Sequence, residues 1–129
     1  MKTFVFISIL VAASVTAFSQ GNVISEDLTA EQFKTKLESK PGAVLLDLRT
    51  PDELKKGMLP HAVQIDYFNK NFEDQIRALD KNKVYFIYCA GGGRSGETKE
   101  LMAKEGFKEV YNLPEGFDGW KKKKMPIQE

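Results

Sequence analysis

The sequence has very little of the chemistry that ties small domains together through disulfides or metal ions. It contains one cysteine, Cys89, and one histidine, His61. A single thiol can form no internal disulfide, so this cysteine is reactive, paired with another molecule or simply buried. One cysteine and one histidine also supply too few ligands for a zinc site of the usual type. We therefore expect no metal and no other cofactor.

The sequence also lacks an excess of either charge. It has 19 Lys and Arg residues against 18 Asp and Glu residues, a formal net charge of +1. A near-neutral chain has no electrostatic reason to bind nucleic acid or an anionic membrane surface. The local basic run from Lys121 to Lys124 is typical of a solvated helix end, where cations suit the helix dipole.

The N-terminal segment has the layout of a secretory signal peptide. Lys2 gives a short positive region, residues 4–17 are apolar or small, and small residues surround a cleavage site before Gln20. The apolar run is short for a membrane span, which needs about 20 residues; an uncleaved anchor is the alternative. We predict a signal peptide at residues 1–19. The mature protein is then bacterial, periplasmic or secreted, with no stable membrane insertion.

Residues 20–129 are predicted to form one domain, because about 110 residues are enough for one modest core. Short β-like runs alternate there with helical patterns, and this alternation predicts an α/β domain with a mainly parallel sheet. The predicted strands are residues 23–25, 43–46, 62–65, 84–88 and 110–113. Ligand sites in such sheets lie beyond the carboxyl ends of the strands, and Cys89 directly follows one of them.

Local signals mark the predicted helices. Thr29 with Gln32, and Thr50 with Glu53, have the spacing of capping boxes, which predicts a helix start at each. Pro51 suits the first position of the second helix. Two later helices are predicted over residues 95–105 and 117–124.

A further helix is predicted between them, over residues 68–79. Four apolar side chains recur there at helical spacing, which predicts one buried face. They are Phe68, Phe72, Ile76 and Leu79.

The cysteine begins the loop Cys89-Ala90-Gly91-Gly92-Gly93-Arg94-Ser95. A thiol is a strong nucleophile only as the thiolate. The helix N-terminus after the loop, and glycines whose backbone amides can turn inward, both favour an anion. Arg94 adds a permanent positive charge. The loop therefore predicts a nucleophilic Cys89 in an anion-binding cradle; the alternative is an inert, buried cysteine beside a glycine turn.

This loop resembles the active-site loop of the rhodanese-like sulfurtransferase family. Residues 45–54, followed by Gly57 and Pro60, resemble that family's early Asp-x-Arg segment, and residues 110–120 contain a likeness of its closing Gly-Trp element. Together these segments cover nearly all of the predicted mature chain in the family's order. The sequence departs from the family pattern within residues 57–62 and at Glu115-Gly116. These departures affect the rim of the site, and so the choice of substrate.

The resemblance implies a single rhodanese-like domain, with a parallel five-stranded sheet flanked by helices, and a sulfurtransferase activity. The Cys89 thiolate would take a sulfane sulfur from thiosulfate, a polysulfide or a protein persulfide, and would pass it to a thiol or cyanide. Arg94 would be the second catalytic residue, shaping the loop and holding an anionic donor. The implied substrate-binding residues are Ala90, Gly91, Gly92, Gly93, Ser95 and Arg49.

Three of the polar residues have alternative roles. Asp47 and Arg49 come at the carboxyl end of a predicted strand, where an internal ion pair is favoured over substrate contact by the arginine. His61 follows Pro60 in a turn, and nothing in the sequence ties its imidazole to Cys89. A surface or rim position for His61 is therefore favoured over a Cys-His catalytic pair.

Three competing functions are open. A Cys-Arg phosphatase loop has five residues between its cysteine and arginine, whereas four residues separate Cys89 from Arg94, and the shorter loop suits a single sulfur better. A non-catalytic rhodanese-like module that binds a partner is the second. A redox protein is the third, although the chain lacks a resolving cysteine for an intramolecular disulfide.

Overall fold

The computed structural model describes residues 22–129 and the isolated Thr3. The predicted signal peptide, residues 1–19, lies outside the described residues except for Thr3, so its cleavage stays a prediction. Within residues 22–129, no helix combines the length and the apolar composition that crossing a membrane requires.

A five-stranded sheet forms the centre of the domain. Its strands are β1 (Ile24–Asp27), β2 (Val44–Asp47), β3 (Val63–Gln64), β4 (Val84–Tyr88) and β5 (Glu109–Asn112). They lie in the order β1-β5-β4-β2-β3, and every neighbouring pair is parallel. The prediction of an α/β domain with a mainly parallel five-stranded sheet is confirmed.

Helices flank both faces of this sheet. They are α1 (Ala30–Glu38), α2 (Pro51–Leu54), α3 (Phe72–Arg77), α4 (Gly93–Lys104) and α5 (Gly116–Lys122). Both predicted capping boxes are present: the hydroxyl oxygens of Thr29 and Thr50 accept the amides three residues on, at 3.2 and 3.3 Å. Each box satisfies backbone amides that a helix start would otherwise leave without partners.

The sheet buries one hydrophobic cluster on each face. Side chains of β4 alternate between the two: Phe86 and Tyr88 belong to the cluster that contains α1 and α5 side chains, and Tyr85 and Ile87 to the cluster with α3 and α4. A strand buried on both faces is a continuous apolar run. Because β4 is held rigidly at the centre of the sheet, the loop that begins at Cys89 has a fixed starting point.

The prediction of a helix over residues 68–79 is wrong for its start, residues 68–71. The helix covers only Phe72–Arg77, and Phe68 is 67% exposed, whereas Phe72 and Ile76 are buried as expected. The side chains of Asp66 and Asn69 each accept the backbone amide two residues on, both at 2.9 Å. Such turns compete with helix formation, so the chain enters the helix late and leaves Phe68 on the surface.

Candidate active site

The nucleophile loop joins the carboxyl end of β4 to α4, and its backbone surrounds the sulfur of Cys89. The amide of Gly92 donates to Cys89 Sγ at 3.1 Å, and the amide of Ser95 donates at 3.4 Å. The thiol also lies 3.5 Å from the Ser95 hydroxyl oxygen. Cys89 is 1% exposed. Two amides aimed at one sulfur, beside a helix N-terminus, stabilise negative charge on that sulfur.

The three glycines of the loop are not equivalent. Gly92 has a φ of +98°, and an added Cβ would overlap the carbonyl oxygen of Pro114 and lie 3.0 Å from its carbon. A Cβ on Gly91 or Gly93 would meet no atom within 4 Å, and neither residue has a positive φ. Gly92 is therefore the glycine that the loop requires, and it is also the one whose amide reaches the sulfur.

The start of α5 holds the loop in this orientation. The amide of Phe117 donates to the carbonyl of Cys89 at 2.8 Å, and the amide of Asp118 donates to the carbonyl of Ala90 at 3.0 Å. Gly116 has a φ of +63°, and a Cβ there would overlap the Ala90 carbonyl. Because these carbonyls point towards α5, the later amides of the loop are free to face the sulfur.

Arg94 is held by Glu53 in a two-pronged ion pair. Its Nη1 and Nη2 atoms lie 2.7 and 2.8 Å from the two carboxylate oxygens of Glu53. The hydrogen bonds and charge of Glu53, and then the charge of Cys89, raise the pKa of Arg94. Glu53 also accepts the amide of Thr50 at 3.1 Å as part of the α2 capping box. It therefore ties the segment after β2 to the nucleophile loop.

This role of Glu53 was not predictable from the sequence. The capping-box spacing identifies Glu53 as the third residue of a helix, but that signal is local. Its other partner, Arg94, is 41 residues away in the chain. Only the sheet order, which places β2 beside β4, brings the two side chains together.

The Glu53–Arg94 pair predicts how stability depends on pH. Hydrogen bonds from Arg94 lower the pKa of Glu53 from its ordinary 4.5 to about 2. A carboxyl group whose pKa is lower in the folded state stabilises the fold above its unfolded pKa, and this contribution is lost as the pH falls through the folded pKa. We expect Glu53→Gln to lower the free energy of unfolding by on the order of 1 kcal/mol above pH about 5. The effect is this small because the pair is partly exposed. The cost should shrink as the pH falls from 4.5 towards 2.

Urea unfolding across that pH range measures this cost. Glutamine keeps the capping box, so the variant removes the ion pair with little change to α2. Asp52→Asn is the matched control, since it removes a highly exposed carboxylate from the same helix. A difference between wild type and Glu53→Gln that does not change with pH would contradict the prediction.

Arg49 lies inside the protein, in a buried network with Asp47 and Tyr88. Its Nη2 atom is 2.7 Å from Asp47 Oδ2 and donates to the carbonyl of Gly57, also at 2.7 Å. The Tyr88 hydroxyl donates to the same carboxylate and accepts the amide of Leu59 at 3.0 Å. Burial, followed by the charge of Asp47, raises the pKa of Tyr88, so this hydroxyl stays a donor.

The substrate contact suggested for Arg49 finds no support in this arrangement. The side chain is 1% exposed, and its guanidinium carbon lies 4.0 Å from the centroid of the Phe117 ring. The internal ion pair with Asp47, which the sequence favoured, is the observed arrangement. This buried network holds together the loops that surround the site.

The remaining predicted positions lie at or beyond the rim. Gly91 and Gly93 are exposed on the outer side of the loop. Within the described residues, the amides that reach Cys89 Sγ come from Gly92 and Ser95 alone. His61 is exposed, and no hydrogen bond joins its imidazole to Cys89 in the described part of the chain. Its backbone has a φ of +67°, and it lines a separate cleft with Trp120.

Comparison with known proteins identifies the family to which this fold belongs. Residues 29–123 match the rhodanese-like domain family. Solved structures agree: a rhodanese-like domain protein of Staphylococcus aureus superimposes with a TM-score of 0.66 and 28% identity, over 81% of this chain and 99% of that one. A rhodanese-related protein of Thermoplasma volcanium has the same fold, with a TM-score of 0.69 and 21% identity over 80% and 97% of the two chains. The chain belongs to the rhodanese-like domain family.

Relatives with named activities include sulfurtransferases. A sulfurtransferase of Allochromatium vinosum is 28% identical over 101 residues, which is 78% of this chain and 92% of that protein. A thiosulfate sulfurtransferase of Pseudomonas syringae is 32% identical over 80 residues, which is 62% of this chain and 74% of that protein. These relatives support membership of a rhodanese-like sulfurtransferase family.

Proposed function

We propose that the protein is a sulfurtransferase that carries a sulfane sulfur as a persulfide on Cys89. The observation that carries this proposal is the pair of backbone amides, from Gly92 and Ser95, that donate to Cys89 Sγ at 3.1 and 3.4 Å. These donors are already positioned to stabilise negative charge on the Cys89 thiolate and on the persulfide. They cost no reorganisation at the moment of reaction.

The reaction has two steps, and each step transfers one sulfur atom to an attacking nucleophile. First, the Cys89 thiolate attacks the sulfane sulfur of the donor, and the donor's remainder leaves with the electrons of the broken S–S bond. Second, an acceptor thiolate or cyanide attacks the outer sulfur of the persulfide and returns Cys89 to its thiolate form. This is double-displacement chemistry with a covalent intermediate.

Arg94 acts as a positioning residue in this scheme. Both of its terminal nitrogens are bound to Glu53, and that ion pair fixes the start of α4 relative to the segment after β2. The same geometry argues against a phosphatase, because the guanidinium does not present its paired donors to a phosphate in the loop.

Intact-protein mass spectrometry tests the proposal. The purified chain should gain one sulfur atom when treated with thiosulfate, polysulfide or an organic persulfide, and cyanide should remove it. Protein prepared by expressing the full sequence in a bacterium also tests the proposed export, since cleavage would place the N-terminus near Gln20. If no sulfane donor adds sulfur, the transferase proposal is wrong, and a partner-binding module becomes the better account.

A further inference from the structure

Both arginines near the nucleophile are neutralised by carboxylates; the Arg49 pair is buried, and the Arg94 pair is partly exposed. Arg94 is paired with Glu53, and Arg49 with Asp47. Once the Cys89 thiol ionises, two positive and three negative side chains leave this group with a net charge of −1. Coulomb repulsion therefore opposes a donor that carries two negative charges, and repulsion is stronger where protein replaces water.

An exposed aromatic side chain lies beside the Arg94–Glu53 pair. Among the described residues, Phe68 is the exposed large aromatic side chain, at 67%, and the guanidinium carbon of Arg94 lies 5.4 Å from its ring centroid. Tyr67 packs edge-on against it, with 5.3 Å between ring centroids. The Tyr67 hydroxyl donates to Glu97 of α4. The exposed ring is thus held beside the helix that follows the nucleophile loop.

The surface that adjoins Tyr67 carries both signs of charge. A cleft of about 530 Å³ is lined by residues of the α3 and α4 segments, with Tyr67 at one side and Phe72 and Leu101 in its wall. Its charged lining is mixed, with Lys70 and Arg77 facing three carboxylates from Glu73, Asp74 and Glu97. This surface therefore offers no excess positive charge that would attract a small dianion.

We propose that the sulfur donor is a small organic persulfide, and that Glu53 and Phe68 select it over thiosulfate. Glu53 removes the positive charge of Arg94 that a dianion would need, and Phe68 contacts the carbon group of the donor. The inference rests on the proposed sulfurtransferase function and names the donor class for the same site. It makes Glu53 and Phe68 specificity-determining residues.

The transfer from such a donor balances without a further reagent. The Cys89 thiolate attacks the outer sulfur of R–S–SH, the bond between the two donor sulfurs breaks, and R–S⁻ leaves with the bonding pair. The product is Cys89–S–SH, which releases its proton to water. The sulfane sulfur keeps its oxidation state, so no oxidant or reductant takes part.

The test compares two donors on three proteins. Single-turnover loading of Cys89 is followed by quenching and intact mass, with thiosulfate or with benzyl persulfide released in solution from a precursor. Glu53→Gln should raise the ratio of the thiosulfate rate to the benzyl persulfide rate by about tenfold, the effect of removing one nearby charge. Asp52→Asn removes the same charge from an exposed side chain of α2 and should leave the ratio unchanged. A general loss of loop order would slow loading from both donors, so it would not change this ratio.

A second pair of variants tests the apolar contact. Phe68→Ser should slow loading from benzyl persulfide by about fivefold, with a smaller effect on thiosulfate. Val63→Ser is the matched control, because Val63 is also an exposed apolar side chain, at 57%, but lies on β3.

The outcomes separate this inference from the function on which it rests. An unchanged donor ratio in Glu53→Gln, or equal slowing of both donors in Phe68→Ser, would overturn the inference and leave the sulfurtransferase proposal standing. If neither donor loads wild-type Cys89, the sulfurtransferase proposal itself fails, and this inference fails with it.

Discussion

Replacing Cys89 with serine should abolish sulfur loading. We expect the loading rate to fall by at least about 10⁴-fold, which is the size of effect seen when an enzyme loses its nucleophile. The fold should survive, because Cys89 forms no disulfide and a hydroxyl still accepts the amides of Gly92 and Ser95. The variant has no thiol at all, since the chain contains one cysteine. Any sulfur that remains attached after denaturation would therefore place the covalent chemistry on another kind of side chain.

Loading of the variant is measured by intact mass, with circular dichroism to confirm the fold. Ser95→Ala is the companion variant. It keeps the thiol and both amides but loses the hydroxyl group whose oxygen lies 3.5 Å from Cys89 Sγ. We expect it to slow loading by about tenfold or less. Sulfur uptake by Cys89→Ser at a rate near that of Ser95→Ala would contradict the assignment of Cys89 as the nucleophile.

Gly92→Ala should lower both the free energy of unfolding and the rate of sulfur loading, whereas Gly93→Ala should lower neither. The new Cβ at residue 92 overlaps the carbonyl of Pro114, and its φ of +98° is unfavourable for alanine. The backbone must move, and with it the amide that donates to Cys89 Sγ. We expect a loss of about 3 kcal/mol or more in the free energy of unfolding. Loading should fall by roughly 100-fold, the lower end of the cost of losing one preorganised donor.

Gly93→Ala adds the same methyl group one residue later, in open space and at the first position of α4. Its unfolding free energy should stay the same or rise by about 0.5 kcal/mol, because alanine restricts the unfolded chain. Urea unfolding and single-turnover loading of both variants make the comparison. Equal stability of the two would show that the loop does not depend on Gly92.

The parts of the fold that could be predicted depend on short-range contacts or on long apolar runs. Each capping box joins residues three positions apart, so its pattern is visible in the sequence. Residues 84–88 form an apolar run of strand length, and β4 covers the same residues. The sulfur of Cys89 is likewise bound by amides three and six residues on, which is why the character of the loop was predictable.

The parts that could not be predicted depend on distant segments, or on local turns that outweigh the apolar pattern. The partner of Arg94 lies 41 residues earlier in the chain, and the amides that bind the Cys89 and Ala90 carbonyls come from α5. The exposure of Phe68 depends on two turns, at Asp66 and Asn69, whose side-chain hydrogen bonds replace helical ones. In that segment, helical spacing of apolar residues was a weaker determinant than local polar chemistry.

The support that α5 gives to the Cys89 loop has a consequence for the order in which a newly made chain gains reactivity. A ribosome releases the nucleophile well before the residues of α5, so for some time the thiol exists without the helix that orients its surroundings. During that interval Phe117 and Asp118 cannot bind the Cys89 and Ala90 carbonyls, so two of the contacts that orient the loop are missing. The proposed sulfur chemistry therefore requires the last helix to dock against the loop.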